Sequence, residues 1–547
     1  MAQSGEQDGS RGVESASPSI AAAFLVTFDN RKGYTIAWQR CIEQIKLDGV
    51  VEFKSLPSGL HNVTEDLVYF VHDGCAGVSA FLRQDDTEAA RNARMLAVGV
   101  LVPLDARKLG KSFVYAQELK ELARQLIDNL NNHDPLEKFW EEHHSKSENE
   151  QRDGSESHDS DGYQKTRAPS ISILTSPSNS PTLPAHHPAL ALPELLTMFG
   201  PLLFPLFRAA LLQKRILILG EAPVEHICNA VYSLSVLSSL PRSTVALLPH
   251  FEREQPKYQP LFNIGVADIP YLQEAQDSWI ACTTDDVLAT KPQLFDMLVI
   301  LPTSTSMGKV GNKVYPKLIY STPQLSKQFP KQGVRASQRD ARKYLGLKEN
   351  IQRLDSSALV SNHINSVTSD DDASTTSSIS TVADHREAVE PASWTVIAYT
   401  SLIWWVSAGD RRSGLLEAEE LVDEQDEALL RDAVAGDIMT KEVAMVAYFQ
   451  KLSTLIFSVL RNAVDRSTPN GEERYRDDDG EDAALLSQEN DKNEDLVDIT
   501  EEDIRAMGLN VWSESDKHFI QEMVAFWWKK EAVVHGGTVE CCGVRFA

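Results

Sequence analysis

Two strand-end groups stand nearest to chemistry in this sequence. Asp268 closes one apolar run, and Thr283-Thr284-Asp285-Asp286 closes another. Aspartates act as general acids or bases when a His, a Lys or a metal set completes the group. No such partner stands nearby in sequence. Other chemistry-bearing motifs are missing too. Met307-Gly308-Lys309-Val310-Gly311 has the wrong spacing for a phosphate loop. Gly220-Glu221-Ala222-Pro223 has one glycine where a dinucleotide turn needs three. H-E-x-x-H, C-x-x-C and G-x-S-x-G are absent. His143-His144 and His186-His187 fall in predicted linkers. No catalytic residue, metal or cofactor is therefore expected. The cluster reads either as a recognition surface or as a set of helix caps, with Thr283 or Thr284 at the N-cap and acids in the first turn.

The elements that must position these residues are strands. Ile216–Leu219 is a continuous apolar run, as in strands buried on both faces. Residues from Leu261 lead as a strand-like run into Asp268, and Ser278–Cys282 and Leu294–Ile300 are further apolar runs. Val224–Leu240 has helical spacing between them, and Thr244–Leu248 reads as a strand. Strands alternating with helices predict a largely parallel α/β sheet, whose strand ends are where ligands and partners bind. Earlier in the chain, Phe24–Phe28 and Tyr34–Trp38 flank the turn residues Asn30–Gly33 and predict a hairpin. Strand runs at Val50–Phe53, Leu67–Val71, Val78–Leu82 and Met95–Val102 follow, then a helix over Ser112–Leu130, which is an α+β pattern. Helices are expected over Phe199–Gln213, Val334–Leu347, Trp394–Ala408, Thr440–Val464 and from Ser515. Thr500 and Asp503 suit a capping box.

Composition limits the function. At 547 residues the chain is too long for one core, and its net charge is −26. Three segments carry most of that charge: 141–167 has −4, 417–432 has −7 and 465–502 has −11, leaving −4 for everything else. No broad basic footprint for nucleic acid remains. Six cysteines are sparse; Cys41, Cys75, Cys228 and Cys282 sit in apolar surroundings, as reduced core cysteines do. No signal peptide opens the chain, so a cytoplasmic location is expected. Leu190–Leu212 is apolar but holds three prolines, Glu194 and Arg208, which predicts a buried helix rather than a transmembrane segment.

Several pieces, taken in order, resemble DENN-domain proteins of the LCHN type, in a form typical of fungi. They are Phe24–Asp29 with Gly33 and Trp38, Val51–Ser55, Ala93–Met95 with Val98–Leu101, Ala209–Ile218, Asn263–Asp268, Ile280–Asp285 and Ala506–Leu509. The resemblance implies α/β with α+β: a longin-like antiparallel-sheet module upstream (20–140), a central three-layer α/β DENN module (188–354), and a helical downstream module (391–464 and 500–547). Residues 1–19, 141–187, 355–390 and 465–499 are expected to be disordered. The resemblance also implies guanine-nucleotide exchange on a Rab-family GTPase in vesicle trafficking, with peripheral membrane recruitment. A scaffold or effector of the same fold is the alternative. Asp268, Thr283, Thr284 and Asp285 are the expected partner-binding residues.

Overall fold

The computed structural model describes residues 17–29, 31–42, 45–56, 58–86, 93–104, 110–144, 183–184, 186–249, 258–275, 277–303, 313–321, 333–361, 385–391, 424–432, 440–467, 496–537, 539–541 and 544–546. They form two compact units. The first draws on residues 1–56, 60–172 and 184–187, and the second on 57–59, 173–183 and 188–547.

In the first unit, β1 (Ala22–Asp29) and β2 (Gly33–Cys41) form the expected hairpin, with Gly33 at φ +83° closing the turn. β3 (Glu65–His72), β4 (Cys75–Asp85) and β5 (Ala93–Pro103) complete an antiparallel sheet in the order β3-β4-β5-β1-β2. Phe24 of β1 lies flat over Gly99 of β5; a Cβ on Gly99 would fall 2.3 Å from the ring. Val50–Phe53 is not a strand. It forms a helical turn, α1 (Val51–Lys54), because Gly49 at φ +82° turns the chain and the Glu52 carboxylate accepts the Gly49 N–H at 3.1 Å. α2 (Ala116–Leu126) buries Leu119, Leu122, Ala123 and Leu126. α3 (Asp134–His144) runs through His143 and His144, which the sequence put in a linker. Cys41 is exposed at the end of β2, while Cys75, Cys228 and Cys282 are buried and form no disulfide.

The second unit begins with apolar helices α4 (Leu192–Phe199) and α5 (Leu203–Leu211), separated at Gly200. β6 (Ile216–Leu219), β7 (Gln259–Asn263), β8 (Trp279–Thr283) and β9 (Met297–Ile300) are parallel, and β10 (Lys317–Tyr320) pairs antiparallel with β9; the order is β10-β9-β6-β8-β7. α6 (Glu225–Leu237) connects β6 to the segment where a strand was expected. That segment is instead a short helix, α7 (Arg242–Val245). The Pro241 carbonyl accepts both the Thr244 and Val245 N–H groups, and four apolar residues are too few to separate strand from helix. Leu217, Leu261, Trp279, Ala281 and Phe295 pack with Leu272 and Leu288 into a closed core cluster.

α8 (Ile269–Glu274) follows β7, α9 (Asp286–Ala289) follows β8, and α10 (Gln338–Ser361) follows β10. The expected helix at Trp394–Ala408 lies outside the described residues. α11 (Lys441–Ser467) places Phe449 against Phe204 and Phe207, with ring centres 5.7 and 4.9 Å apart. Thr500 and Asp503 form the expected capping box on α12 (Glu501–Ala506). α13 (Glu514–Trp528) buries Phe519, Met523 and Trp527, and Trp527 Nε1 donates to the Leu211 carbonyl at 3.2 Å. Pro188–Leu211 and Lys441–Ser467 are long and apolar enough to cross a membrane. Their most apolar windows are 67% and 56% buried inside this unit, as in core helices.

Candidate functional site at the carboxyl edge of the parallel sheet

Because β6, β7, β8 and β9 run parallel, their carboxyl ends share one edge of the second unit. A bulge between Pro260 and Phe262, with Phe262 at φ +56°, redirects β7 as it approaches that edge. β7 then enters a tight turn, Val266–Asp268. Asp268 is 6% exposed, and its Oδ2 accepts the Gly265 N–H at 2.9 Å, which closes the turn. On the neighbouring β8, Thr283 is 1% exposed, and its hydroxyl accepts the Asp285 N–H at 3.1 Å. The two loops adjoin: a Cβ built on Gly265 would lie 3.5 Å from Asp285 Oδ2, an ordinary contact distance. Asp285 Oδ1 accepts a hydrogen bond from Ser58, which also belongs to the second unit. The Thr284 hydroxyl is shielded from water and has no hydrogen-bond partner among the described residues.

The structure thus places all four expected residues on two adjoining loops but divides their labour. Asp268 and Thr283 satisfy backbone N–H groups and shape the loops. Asp285 is half-buried and Asp286 is exposed. The expected threonine cap is corrected: neither Thr283 nor Thr284 is the N-cap of α9, because the helix starts one residue later, at Asp286. Asp285 occupies the N-cap of α9 in extended geometry without a side-chain cap bond, and Asp286 lies in the first turn. The sequence did not single out the exposed apolar residues of this edge: Val266 at 49%, Tyr271 at 54% and Val287 at 50%. Large apolar side chains in water, set beside carboxylates, suit a partner surface better than a small-molecule pocket.

A second polar feature lies deep in the same unit. Arg208, the charge that interrupts the apolar α5, makes a two-pronged pair with Asp340 of α10 at 2.9 and 2.7 Å. The same guanidinium lies 3.1 Å from Asp516 of α13. Nearby, Arg339 pairs with Asp426 at 3.0 and 2.8 Å, so part of the acidic tract is bound rather than solvated.

Glu118, Glu142 and His143 in the first unit lie close enough to share a metal ion. His143 Nε2 donates to the Glu118 carboxylate at 3.1 Å, while Nδ1 is buried without a partner among the described residues. A metal on Nε2 would move the proton to Nδ1 and bury an N–H with no acceptor there, so the group fits a hydrogen bond joining α2 to α3 better than a metal site.

The family model of DENN domain-containing protein 11 matches residues 23–310, and a domain of unknown function (DUF4484) matches residues 389–547. Over 287 residues the chain is 33% identical to DENN domain-containing protein 11 of Xenopus laevis, covering 51% of this chain and 59% of that protein. The Danio rerio protein of the same name is 33% identical over 286 residues, covering 51% and 53%. Uncharacterized protein ANR2 of Saccharomyces cerevisiae is 28% identical over 338 residues, covering 54% and 60%. The aligned regions thus span a little over half the length of the vertebrate relatives. The first match covers more than half of the present chain, and the chain belongs to the DENN domain-containing protein 11 family.

Proposed function

We propose that this protein is a guanine-nucleotide exchange factor, or another direct regulator, for a Rab-type GTPase in membrane trafficking. Membership of a DENN-domain family supports this reading. The observation that carries it to a place is the loop edge where Val266 and Val287 face water beside Asp285. Exchange makes and breaks no covalent bond. A GTPase holds its nucleotide through its own phosphate loop, Mg²⁺ and switch segments. A partner that prefers the switches open lowers nucleotide affinity, and linkage makes that effect mutual. Such a partner needs a shaped, partly apolar surface and no acid–base pair. In this reading the first unit is the longin-like module, and the second contains the three-layer DENN module. Asp285 and Thr284 contact the GTPase, while Asp268 and Thr283 hold the loops in place. The protein works in the cytoplasm and reaches membranes through its partner, without a cofactor.

The test is release of labelled GDP from a panel of purified Rabs by the full chain. Accelerated release from one or a few Rabs supports exchange. Stable binding without acceleration would replace it with the scaffold or effector reading.

A further inference from the structure

The buried cluster around Arg208 holds more acid than base. Arg208, Arg339 and Lys343 face Asp340, Asp426, Asp516 and Glu390. Three cations against four carboxylates leave one excess negative charge in a mostly buried cluster, with Glu390 half-buried at its margin. Such a charge is removed most readily by keeping one proton.

The geometry says where the proton resides. Asp340 receives both prongs of Arg208 and the Ser337 N–H at 3.0 Å, which holds its carboxyl below the usual range against the opposing effect of burial. Asp516 is fully buried. Its Oδ2 accepts the Asn510 N–H at 2.8 Å, but its Oδ1 faces Arg208 without an aligned hydrogen bond. Burial pushes the Asp516 carboxyl up. Glu390 accepts the Ser513 and Ser515 hydroxyls, both at 2.9 Å. Burial first, and Asp516 second, push Glu390 up to about 7. Lys343 donates to the Gly508 carbonyl, and burial lowers it to about 8. A cavity of about 20 Å³ adjoins Arg208, lined also by Tyr320, Ser515, His518, Phe519 and Glu522. It has room for one water.

The cluster is also a joint. Ser513, Ser515 and Asp516 belong to the start of α13, whereas Arg208 and Asp340 belong to α5 and α10. Glu390 lies on a segment tied to Ala336 by a backbone hydrogen bond at 2.8 Å. We propose that Arg208, Asp516 and Glu390 form a proton-operated latch: one proton, held on Asp516 or Glu390, keeps α13 docked on α5, and its loss loosens that dock.

The linkage has a definite sign. A carboxyl whose folded value is raised contributes stability that is complete below its unfolded value and is lost as pH rises through the folded value. For Glu390 the window runs from the ordinary carboxylate range up to about 7.

Hydrogen exchange on the full chain tests this, with α2 of the first unit as reference so that the intrinsic pH dependence of exchange cancels. Between about pH 6 and pH 8 the protection of α13 relative to α2 is expected to fall roughly tenfold, the effect of about one pKa unit. Glu390→Gln, which keeps an acceptor for the serines and cannot ionise, is expected to remove the change. A wild-type ratio that stays constant across this range overturns the latch. So does a Glu390→Gln protein that retains the full pH response.

Discussion

Arg208 and Asp516 stand 308 positions apart in the sequence and 3.1 Å apart in the structure. Arg208 falls within the DENN domain-containing protein 11 match, and Asp516 within the domain of unknown function. The second region is therefore no separate appendage. It contributes the Asp516 carboxyl group to the buried cluster around Arg208, in the unit that holds the candidate site.

Removing the guanidinium alone should be severe. Arg208→Met leaves Asp340 and Asp516 buried without their shared cation, and the expected loss is about 3–5 kcal/mol of unfolding free energy. Replacing Arg208, Asp340 and Asp516 together with apolar residues of similar volume should recover most of that loss. Urea denaturation of the single and triple variants measures the difference.

Gly99→Ala should destabilise the first unit by about 1–3 kcal/mol, because the new methyl would overlap the Phe24 ring and force it off its rotamer. Adding Phe24→Leu should return part of the loss despite deleting core volume. Thermal melts of the single and double variants check the coupling.

His187 should make the first unit sensitive to acid. It is 8% exposed and packs edge-on to Phe113, with ring centres 4.5 Å apart. Burial lowers it to about 4. The unfolded chain then binds the proton first, so stability is full above about pH 6.5 and falls as pH drops toward about 4. The expected loss is roughly 3 kcal/mol, and His187→Phe should flatten that limb of a stability-versus-pH curve. This slope is opposite in sign to that of Glu390.

At the sheet edge, Asp285→Lys should weaken binding of the cognate Rab at least about tenfold, or 1.4 kcal/mol, while leaving the melting temperature within about 2 °C. Val287→Asp should behave similarly. Titration of labelled Rab, run beside a melt, checks both. Intact binding in a folded Asp285→Lys protein would remove Asp285 from the contact surface.

Much of this architecture is legible in the sequence because burial on both faces leaves continuous apolar runs. Ile216–Leu219 and Ser278–Cys282 read as strands for that reason, and their parallel pairing follows from the helix between them. Short runs mislead, as Val50–Phe53 and Thr244–Leu248 did, because a few apolar residues fit a helical turn equally well. At the site, strand ends point to Asp268 and Asp285, but exposure is a tertiary property. Nothing local separates the exposed Val287 from the buried Leu288 beside it. Ser58 reaches Asp285 across 227 positions, and no local pattern announces that contact. Arg208 looked like a flaw in an apolar helix; its partners lie 132 and 308 positions downstream.

The hydrogen bond from Trp527 to the Leu211 carbonyl spans 316 positions. During synthesis α5 leaves the ribosome long before α13 exists. At 5–20 residues per second that interval is roughly 15–60 s. Through it the nascent chain carries an apolar helix whose buried arginine has no second carboxylate and whose cover has not been made. The second unit can close only after α13 has been made, so its yield in the cell should depend on a holding chaperone over that interval.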